Sequence, residues 1–402
     1  MKSIKKYALQ LLLGIIVGAI CGLCGAAFSK SVGFVTNVRL HNSWIIYPLP
    51  LAGIISVFIY RLCRVKSIGT TSVFECVRTE QHLSPLLAPT IFGCTCISHL
   101  FGASSGREGA ALQIGGGVAG SLSKLFKLDE DSRHITVMCG MTALFSAVFG
   151  TPLAACVFVL EVIMSRLFLL AFLPILLSSV TSFFIANLLK IHPERFNIGD
   201  LPKFSFLLIG KTLVITVVGI AVAYIFCKCL DLGKKYLKIL IKNEYVRIAL
   251  GGSITVMLTL IIGSYDYNGG GIDVINRVFE GNVRYEAFAL KILFTVICVA
   301  AGYRGGEIIP TLFIGATFGG ALALILGLPV GFGAAVGMAV LFVCATKCPF
   351  ATILLCCEMF GFKCIIFIAP VVIIGFIAAR YKGLYNNPKD LFTLLTKQQQ
   401  KA

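Results

Sequence analysis

The stretch Gly102-Ala-Ser-Ser-Gly-Arg-Glu-Gly-Ala-Ala-Leu-Gln-Ile-Gly115 joins a glycine-rich turn to an apolar run that begins with the acidic residue Glu108. This pattern predicts a helix whose first backbone N–H groups have no acceptor within the helix. Together with the helix dipole, those N–H groups favour an anion at the N-terminus. We therefore predict an anion site at Gly106, Arg107 and Gly109, with Glu108 as a tethered anion that a diffusible anion or a proton can displace. The alternative is a surface glutamate that caps the helix and pairs with Arg107.

The composition of the whole chain places this stretch in a membrane. Of the 402 residues, 57% are hydrophobic and only 13% are charged, whereas about a quarter of the residues in a soluble domain are charged. The composition excludes an ordinary cytosolic enzyme, a disordered protein and a disulfide-stapled secreted module. It predicts an all-α, polytopic integral membrane protein. An acidic residue at membrane depth is costly, so Glu108 is a functional candidate.

The apolar runs are short and often broken by glycine. Several contain only 14–18 residues, and the chain has 41 Gly, whereas a spanning helix needs about 20 residues. Broken helices are tolerated at membrane depth where they line an enclosed cavity, which favours a transporter or a channel. The first run, 8–34, follows a basic N-terminus but precedes no A-x-A cleavage site, so we expect a retained transmembrane helix.

The formal net charge is +17, which we explain by basic loops on the cytoplasmic side rather than by nucleic-acid binding. This distribution predicts a multi-pass protein of the cell membrane with both termini in the cytoplasm. The 16 Cys lie mostly in apolar runs and predict helix packing. We therefore expect no metal site and no organic cofactor. The basic groups that predict which loops and termini are cytoplasmic are Lys2, Lys5 and Lys6; Arg61, Arg64 and Lys66; the basic residues from Lys228 to Arg247; and Lys397 and Lys401.

An internal repeat relates the two halves of the chain. Pro152-Leu-Ala begins a run that ends at Glu161, and Pro349-Phe-Ala begins one that ends at Glu358, so each proline precedes its glutamate by nine residues. The halves start on opposite sides of the membrane, which predicts two inverted-topology repeats with re-entrant or broken helices. The predicted units are a first repeat at 1–200, a second at 201–380 and a short cytoplasmic helix or tail at 381–402.

The repeat supplies a second candidate helix start. Gly305-Gly306-Glu307 precedes an apolar run with Pro310 near its start, and Glu307 follows Glu108 by 199 residues. Proline suits the first turn of a helix because its missing N–H is not needed there. Two such helix starts, related by the repeat, are expected to converge on one point. The alternative is a loop that holds a packed glutamate.

These residues resemble those of the CLC chloride channels and chloride/proton antiporters. The segment GREGxxxQIG at 106–115 is close to the most specific signature of that family, and Pro152 to Glu161 and Leu384-Tyr385 also match. The resemblance covers nearly the whole transmembrane chain. It implies a homodimer in which each subunit has its own anion pore. No regulatory cytosolic domain is expected after Arg380.

The resemblance also implies roles for individual residues. Glu108 falls on the gating glutamate, and Tyr385 falls on the tyrosine whose hydroxyl faces the central anion. Thr70 or Thr71 stands in for the usual central serine, because the chain reads Gly69-Thr70-Thr71 where GSGIP is expected. The backbone amides that bind the anion are expected at Gly306, Glu307 and Ile308, in the family's GxFxP segment.

Departures from the family pattern leave the anion and the mechanism open. The lost GSGIP and the acid at Glu307 resemble the fluoride-exporting branch, but that branch usually has Asn pairs in place of Thr70-Thr71 and a Thr in place of Ile309. Val162 occupies the place of the inner proton-transfer glutamate, which Glu307 could replace. Two functions therefore stay open: an anion/proton antiporter for chloride or fluoride, and a passive chloride channel.

An intramembrane hydrolase is the remote alternative, since we expect no enzyme. Ser104 and Ser105 lie near His99 in the sequence, but a serine nucleophile needs contact with its base. Asp200 and Asp266 hint at an aspartyl protease, although Asp200 lies in a predicted outer loop.

Overall fold

The computed structural model describes residues 2–65, 69–79, 81–164 and 167–385, and in this part of the chain the regular structure is helical. The all-α prediction is therefore confirmed. Two short 3₁₀ turns lie at Ser43–Ile46 and Phe362–Cys364. The α-helices are α1 (Lys2–His41), α2 (Leu49–Leu62), α3 (Thr70–Arg78), α4 (Leu87–Leu100), α5 (Glu108–Leu125), α6 (Glu130–Phe149), α7 (Pro152–Ile163), α8 (Phe168–Leu188), α9 (Phe206–Leu240), α10 (Glu244–Ile262), α11 (Ile272–Phe279), α12 (Ala287–Ala301), α13 (Ile308–Leu326), α14 (Val330–Thr346), α15 (Pro349–Phe360) and α16 (Ile365–Ala378).

The helices form two series in the same order, from α1 to α8 and from α9 to α16. Each series begins with a long helix, of 40 residues in α1 and 35 in α9. The predicted boundary at residue 200 lies in the non-helical stretch 189–205, and the assignment of the units 1–200 and 201–380 stays a prediction. Most of the predicted tail 381–402 lies outside the described residues.

Five of the described helices, α1, α8, α9, α10 and α13, are long and apolar enough to cross a membrane. Other apolar helices are shorter, and α7 and α15 have only 12 residues each. At 1.5 Å per residue, 12 residues cover about 18 Å, which is well below the roughly 30 Å of a bilayer core. The prediction of short, broken helices is therefore confirmed.

Glycine lets two pairs of core helices, α5 with α6 and α13 with α14, approach until their backbones touch. A Cβ added to Gly115 on α5 would lie 2.1 Å from the carbonyl oxygen of Gly140 on α6. In the other pair, a Cβ on Gly319 of α13 would lie 2.1 Å from the carbonyl oxygen of Gly333 on α14. Small residues at such crossings allow the close packing that holds membrane helices together.

We expect Gly319→Ala to destabilise the fold by about 2–3 kcal/mol, because the new methyl group overlaps backbone that cannot move independently. Thermal unfolding of the purified protein in detergent measures this change. Gly210→Ala on α9 is the matched control, since a Cβ there meets nothing within 4 Å. Equal stability of the two variants would contradict the proposed backbone contact.

Candidate anion site

The loops that precede α5 and α13 meet each other, as the repeat predicts. Gly106 and Gly306 form an isolated antiparallel bridge. The Gly106 N–H donates to the Gly306 carbonyl at 2.7 Å, and the Gly306 N–H donates to the Gly106 carbonyl at 2.6 Å. The N-termini of two helices therefore start from one point inside the protein.

Only glycine fits at this crossing. Gly305 has φ +157°, and a Cβ there would lie 2.2 Å from the Ser105 hydroxyl oxygen. A Cβ on Gly306 would lie 2.4 Å from the backbone nitrogen of Gly109. Side chains at either position would push the two loops apart, so the glycines are required by the close approach of the two chains.

Glu108 is fully buried beside this crossing. Its Oε2 accepts a hydrogen bond from the Arg107 N–H at 3.1 Å, and its Oε1 lies 3.6 Å from Arg107 Nε without a hydrogen-bond donor among the described residues. A Cβ on Gly106 would lie 2.7 Å from Oε2, so the carboxyl group rests against the bridge. The alternative of a surface glutamate is wrong, although its pairing with Arg107 is observed.

The guanidinium group of Arg107 has a further partner. Its Nη2 lies 2.8 Å from Oε1 of Glu194, a residue in the non-helical stretch between α8 and α9. The sequence carried no signal for this pair, because the two residues are 87 positions apart. Arg107 thus forms ion pairs with two carboxylates, so it neutralises the charge of Glu108 only in part.

Glu307 lies at the start of α13 and pairs with a residue of another helix. Its Oε1 accepts a hydrogen bond from Lys234 Nζ at 2.9 Å, and its side chain is 14% exposed. Lys234 belongs to the last turns of α9. The alternative of a merely packed glutamate therefore does not hold, because the carboxylate has a basic partner that reaches solvent.

Tyr385 lies in the short stretch that follows α16. It is buried, and its hydroxyl has no hydrogen-bond partner among the described residues. Its ring packs edge-on against Phe74 at 5.3 Å and Phe158 at 6.0 Å between centroids. The hydroxyl interacts electrostatically with both Glu307 and Glu108. A hydroxyl donor held without a partner near two acids is suited to a bound anion.

Of the two threonines, Thr70 is the one that the structure brings to the crossing. It is buried, and its Oγ1 donates to the carbonyl oxygen of Gly109 at 3.4 Å. Thr71 is half-buried and forms no hydrogen bond to these loops within the described part of the chain. The start of α3 is held there by a bond from the Gly69 N–H to Gln113 Oε1 at 3.0 Å.

The structure changes the expected set of backbone donors. The N–H groups of Gly106 and Gly306 each donate to the carbonyl oxygen of the other residue, so in this conformation neither N–H is free to hold an anion. The first N–H groups of α5 and α13 have no acceptor within their helices. Gly109 and Ile308 supply two of these N–H groups, and both residues are buried.

A reciprocal contact joins α7 and α15. Glu161, on α7, accepts from the N–H groups of Phe350 at 3.1 Å and Ala351 at 2.7 Å. Glu358, on α15, accepts from those of Leu153 at 3.0 Å and Ala154 at 2.8 Å. Each glutamate of the repeat therefore caps the N-terminus of the other short helix, where a negative charge is stabilising.

We expect Glu161→Ala and Glu358→Ala each to lower the free energy of unfolding by about 1–2 kcal/mol, because each leaves two N–H groups without acceptors. Thermal unfolding in detergent measures the loss, and Glu75→Ala on the exposed face of α3 is the control. If both variants matched this control, the caps would not contribute to stability.

A cavity of about 510 Å³ opens beside Glu108, and we call it the Glu108 vestibule. Its polar lining includes Arg39, His99, Arg107, Glu108, Asp266 and Arg277. Through this cavity, an anion or a proton can reach the buried carboxyl of Glu108 from one side of the protein. Lys234, the partner of Glu307, is 47% exposed in the last turns of α9.

Comparison with known proteins identifies the family. Residues 51–380 match the model of the voltage gated chloride channel family. The chain belongs to this family. The Pseudomonas syringae pv. tomato protein named chloride/fluoride channel protein is 30% identical over 380 residues, which cover 92% of this chain and 84% of that protein. The Vibrio cholerae serotype O1 H⁺/Cl⁻ exchange transporter is 28% identical over 390 residues, which cover 87% of this chain and 81% of that protein.

Solved structures of the CLC family have the same fold. A CLC-type fluoride/proton antiporter superposes with a TM-score of 0.90 at 29% identity and covers 94% of this chain, which in turn covers 97% of it. A slow cyanobacterial Cl⁻/H⁺ antiporter superposes at 0.79 with 20% identity, over 98% of this chain and 99% of that one. The resemblance inferred from the residues at 106–115 is therefore confirmed.

Proposed function

We propose that this CLC protein exchanges a small inorganic anion for protons across the cell membrane. The observation that carries the proposal is the buried Glu108 carboxyl, which rests against the bridge between two helix N-termini. As an anion it occupies the position that the helix dipoles favour. When it is protonated or displaced, the same position becomes free for chloride or fluoride.

The tethered carboxyl couples the two ions because it competes with one and binds the other. Free N–H groups at the starts of α5 and α13, the Thr70 hydroxyl and the Tyr385 hydroxyl replace water around the anion. The proposal requires no metal and no organic cofactor. Relatives that are named for chloride, fluoride and proton exchange support this choice of substrates.

Glu307 is our candidate for the proton acceptor on the other side. Val162 is buried and offers only its carbonyl, which accepts from Arg78 at 2.5 Å. Glu307 instead has a carboxylate that pairs with Lys234, a side chain that is itself in contact with solvent. The Glu108 vestibule is lined by the C-terminal end of α1, which the basic N-terminus predicts to be outside, and Lys234 lies in the basic stretch predicted to be inside. The two acids then face opposite sides.

We also propose a homodimer in the membrane with both termini in the cytoplasm. Large apolar side chains are exposed on α8 and α16, for example Leu169 (84%), Leu188 (81%) and Ile366 (68%). Such faces are stable only against lipid or a second copy. Crosslinking of single cysteines placed on α8 and α16 in native membranes would detect the dimer.

The hydrolase alternative lacks its catalytic contacts. The Ser105 hydroxyl donates to the Arg304 carbonyl at 3.3 Å, and the Ser104 hydroxyl bonds to Thr295 at 3.1 Å. Asp266 pairs with Arg277 at 2.5 Å. None of these groups forms the nucleophile–base pair that hydrolysis needs, so we do not propose an enzyme.

Flux from reconstituted liposomes tests the proposal. An anion gradient, of chloride in one arm and fluoride in the other, is imposed while the internal pH is recorded. Exchange moves protons against their gradient, and the preferred anion gives the faster flux. Anion flux without proton movement would instead establish the passive channel, and absence of any flux would reject both.

A further inference from the structure

Two buried cations next to the Glu108 vestibule form no ion pair among the described residues. Lys291, on α12, is fully buried, and its Nζ donates to the carbonyl oxygens of Tyr267 at 3.2 Å and Gly269 at 2.7 Å. Arg39, near the end of α1, is 8% exposed, and its Nη1 donates to the carbonyl oxygen of His99 at 3.2 Å. Carbonyl oxygens solvate a cation but do not neutralise it, and a guanidinium group stays protonated, so the buried charge of Arg39 calls for an anion.

The acidic residues of the vestibule do not supply that anion. Glu108 already pairs with Arg107. Asp266 lies 2.5 Å from Arg277 and 3.7 Å from Arg284. Asp273 is exposed and interacts with Arg39 only electrostatically. Of the cations that line the cavity, Arg39 is therefore the one without an ion pair among the described residues.

His99 adds a ring nitrogen, Nε2, that is free to bind a ligand, although the ring also interacts with the backbone of Gly106. It lies on α4, is 4% exposed and lines the vestibule. Its Nε2 has no hydrogen-bond partner among the described residues. Arg39, Arg107 and Lys291 all act on this ring electrostatically. In the tautomer that carries its proton on Nε2, the buried ring is a donor on the same residue whose carbonyl accepts from Arg39.

We propose that the Glu108 vestibule binds a second small inorganic anion, held by the guanidinium group of Arg39 and the Nε2–H of His99, with Lys291 as a nearby charge. This site uses side chains of α1, α4 and α12, whereas the site at the loop crossing uses the starts of α5 and α13. Its function is to raise the local anion concentration beside Glu108, so that an incoming ion can displace the carboxyl. The functional part of this inference rests on the proposed anion exchange.

The first experiment measures the anion dependence of flux in Arg39→Gln and His99→Phe. Loss of one charge-assisted hydrogen bond should raise the anion concentration for half-maximal flux from the vestibule side about tenfold. The maximal flux and the proton-to-anion ratio should stay near wild type. Arg39→Lys, which retains the charge, should recover most of the affinity. A purely structural role would lower the maximal flux and leave the half-saturating concentration unchanged, and this result would overturn the proposal.

The matched control is the charge-balanced double variant Asp266→Asn/Arg277→Gln. It alters the same cavity but removes a pair that is already neutralised, so the half-saturating concentration should change less than about twofold, as is usual for additive changes at independent sites. A tenfold change in this control as well would mean that any alteration of the cavity weakens anion entry, and would reject the assignment to Arg39 and His99.

A second measurement uses the wild-type protein and does not depend on the folding of variants or on transport. Crystals soaked in bromide should show an anomalous peak within hydrogen-bond distance of Arg39 and His99 Nε2. No peak at saturating bromide would overturn the proposal even if flux is normal. Absence of wild-type flux would reject the proposed exchange, whereas the bromide peak would still decide whether the vestibule binds an anion.

Discussion

Glu108→Gln should abolish proton movement and leave anion flux in place. The amide has nearly the same shape as the carboxyl, but it cannot carry a proton and has no charge with which to compete for the helix starts. Removal of a proton-transfer group typically costs 100-fold or more, so we expect proton flux to fall by about that factor, to the leak of empty liposomes. A pH-sensitive dye inside the liposomes and an anion electrode outside measure the two fluxes together.

Glu194→Gln is the matched control for this experiment. It makes the same chemical change in the other carboxylate that binds Arg107, but Glu194 lies in the non-helical stretch between α8 and α9 and not at a helix start. We expect proton coupling to persist in this variant. If Glu108→Gln kept the wild-type ratio of protons to anions, Glu108 would not be the coupling residue, and the proposed exchange mechanism would fall.

The sequence predicted the central geometry of this site because that geometry is local and repeated. Glycine on both sides of Glu108, with an apolar run after it, predicts a helix that starts inside the membrane. The equivalent pattern at Glu307 then predicts a second such start. Their convergence is observed as the bridge between Gly106 and Gly306, a contact that sequence spacing alone could suggest but not measure.

The partners of the charged residues could not be predicted in the same way. Lys234 and Glu307 are 73 positions apart, and Phe350 lies 189 positions from the glutamate that caps it. Such pairs depend on how helices pack in three dimensions, and neither residue carries a local pattern that selects its partner. The convergence of the two loops could be predicted, but the pair of hydrogen bonds between Gly106 and Gly306 could not, because these bonds form only once the loops touch.

Glu307→Gln should also remove proton movement, by about 100-fold, while anion flux continues. The reason differs from that at Glu108, since we propose that Glu307 receives protons through Lys234 from the opposite side. Glu307 is the acid that we propose for this role, because Val162 offers no carboxyl at the alternative position. Liposome flux with internal pH recording, as for Glu108, measures both ions.

Lys234→Met separates two roles that Glu307 could have. If Glu307 only anchors α13 through its ion pair, loss of Lys234 should impair flux as much as loss of Glu307 does. If Glu307 carries protons, Lys234→Met should keep the coupling ratio, because the carboxyl is still present and reaches solvent where Lys234 stood. Retained coupling in Glu307→Gln would contradict the proposed inner route. Protons would then have to reach Glu108 by a path that uses neither Glu307 nor the position of Val162.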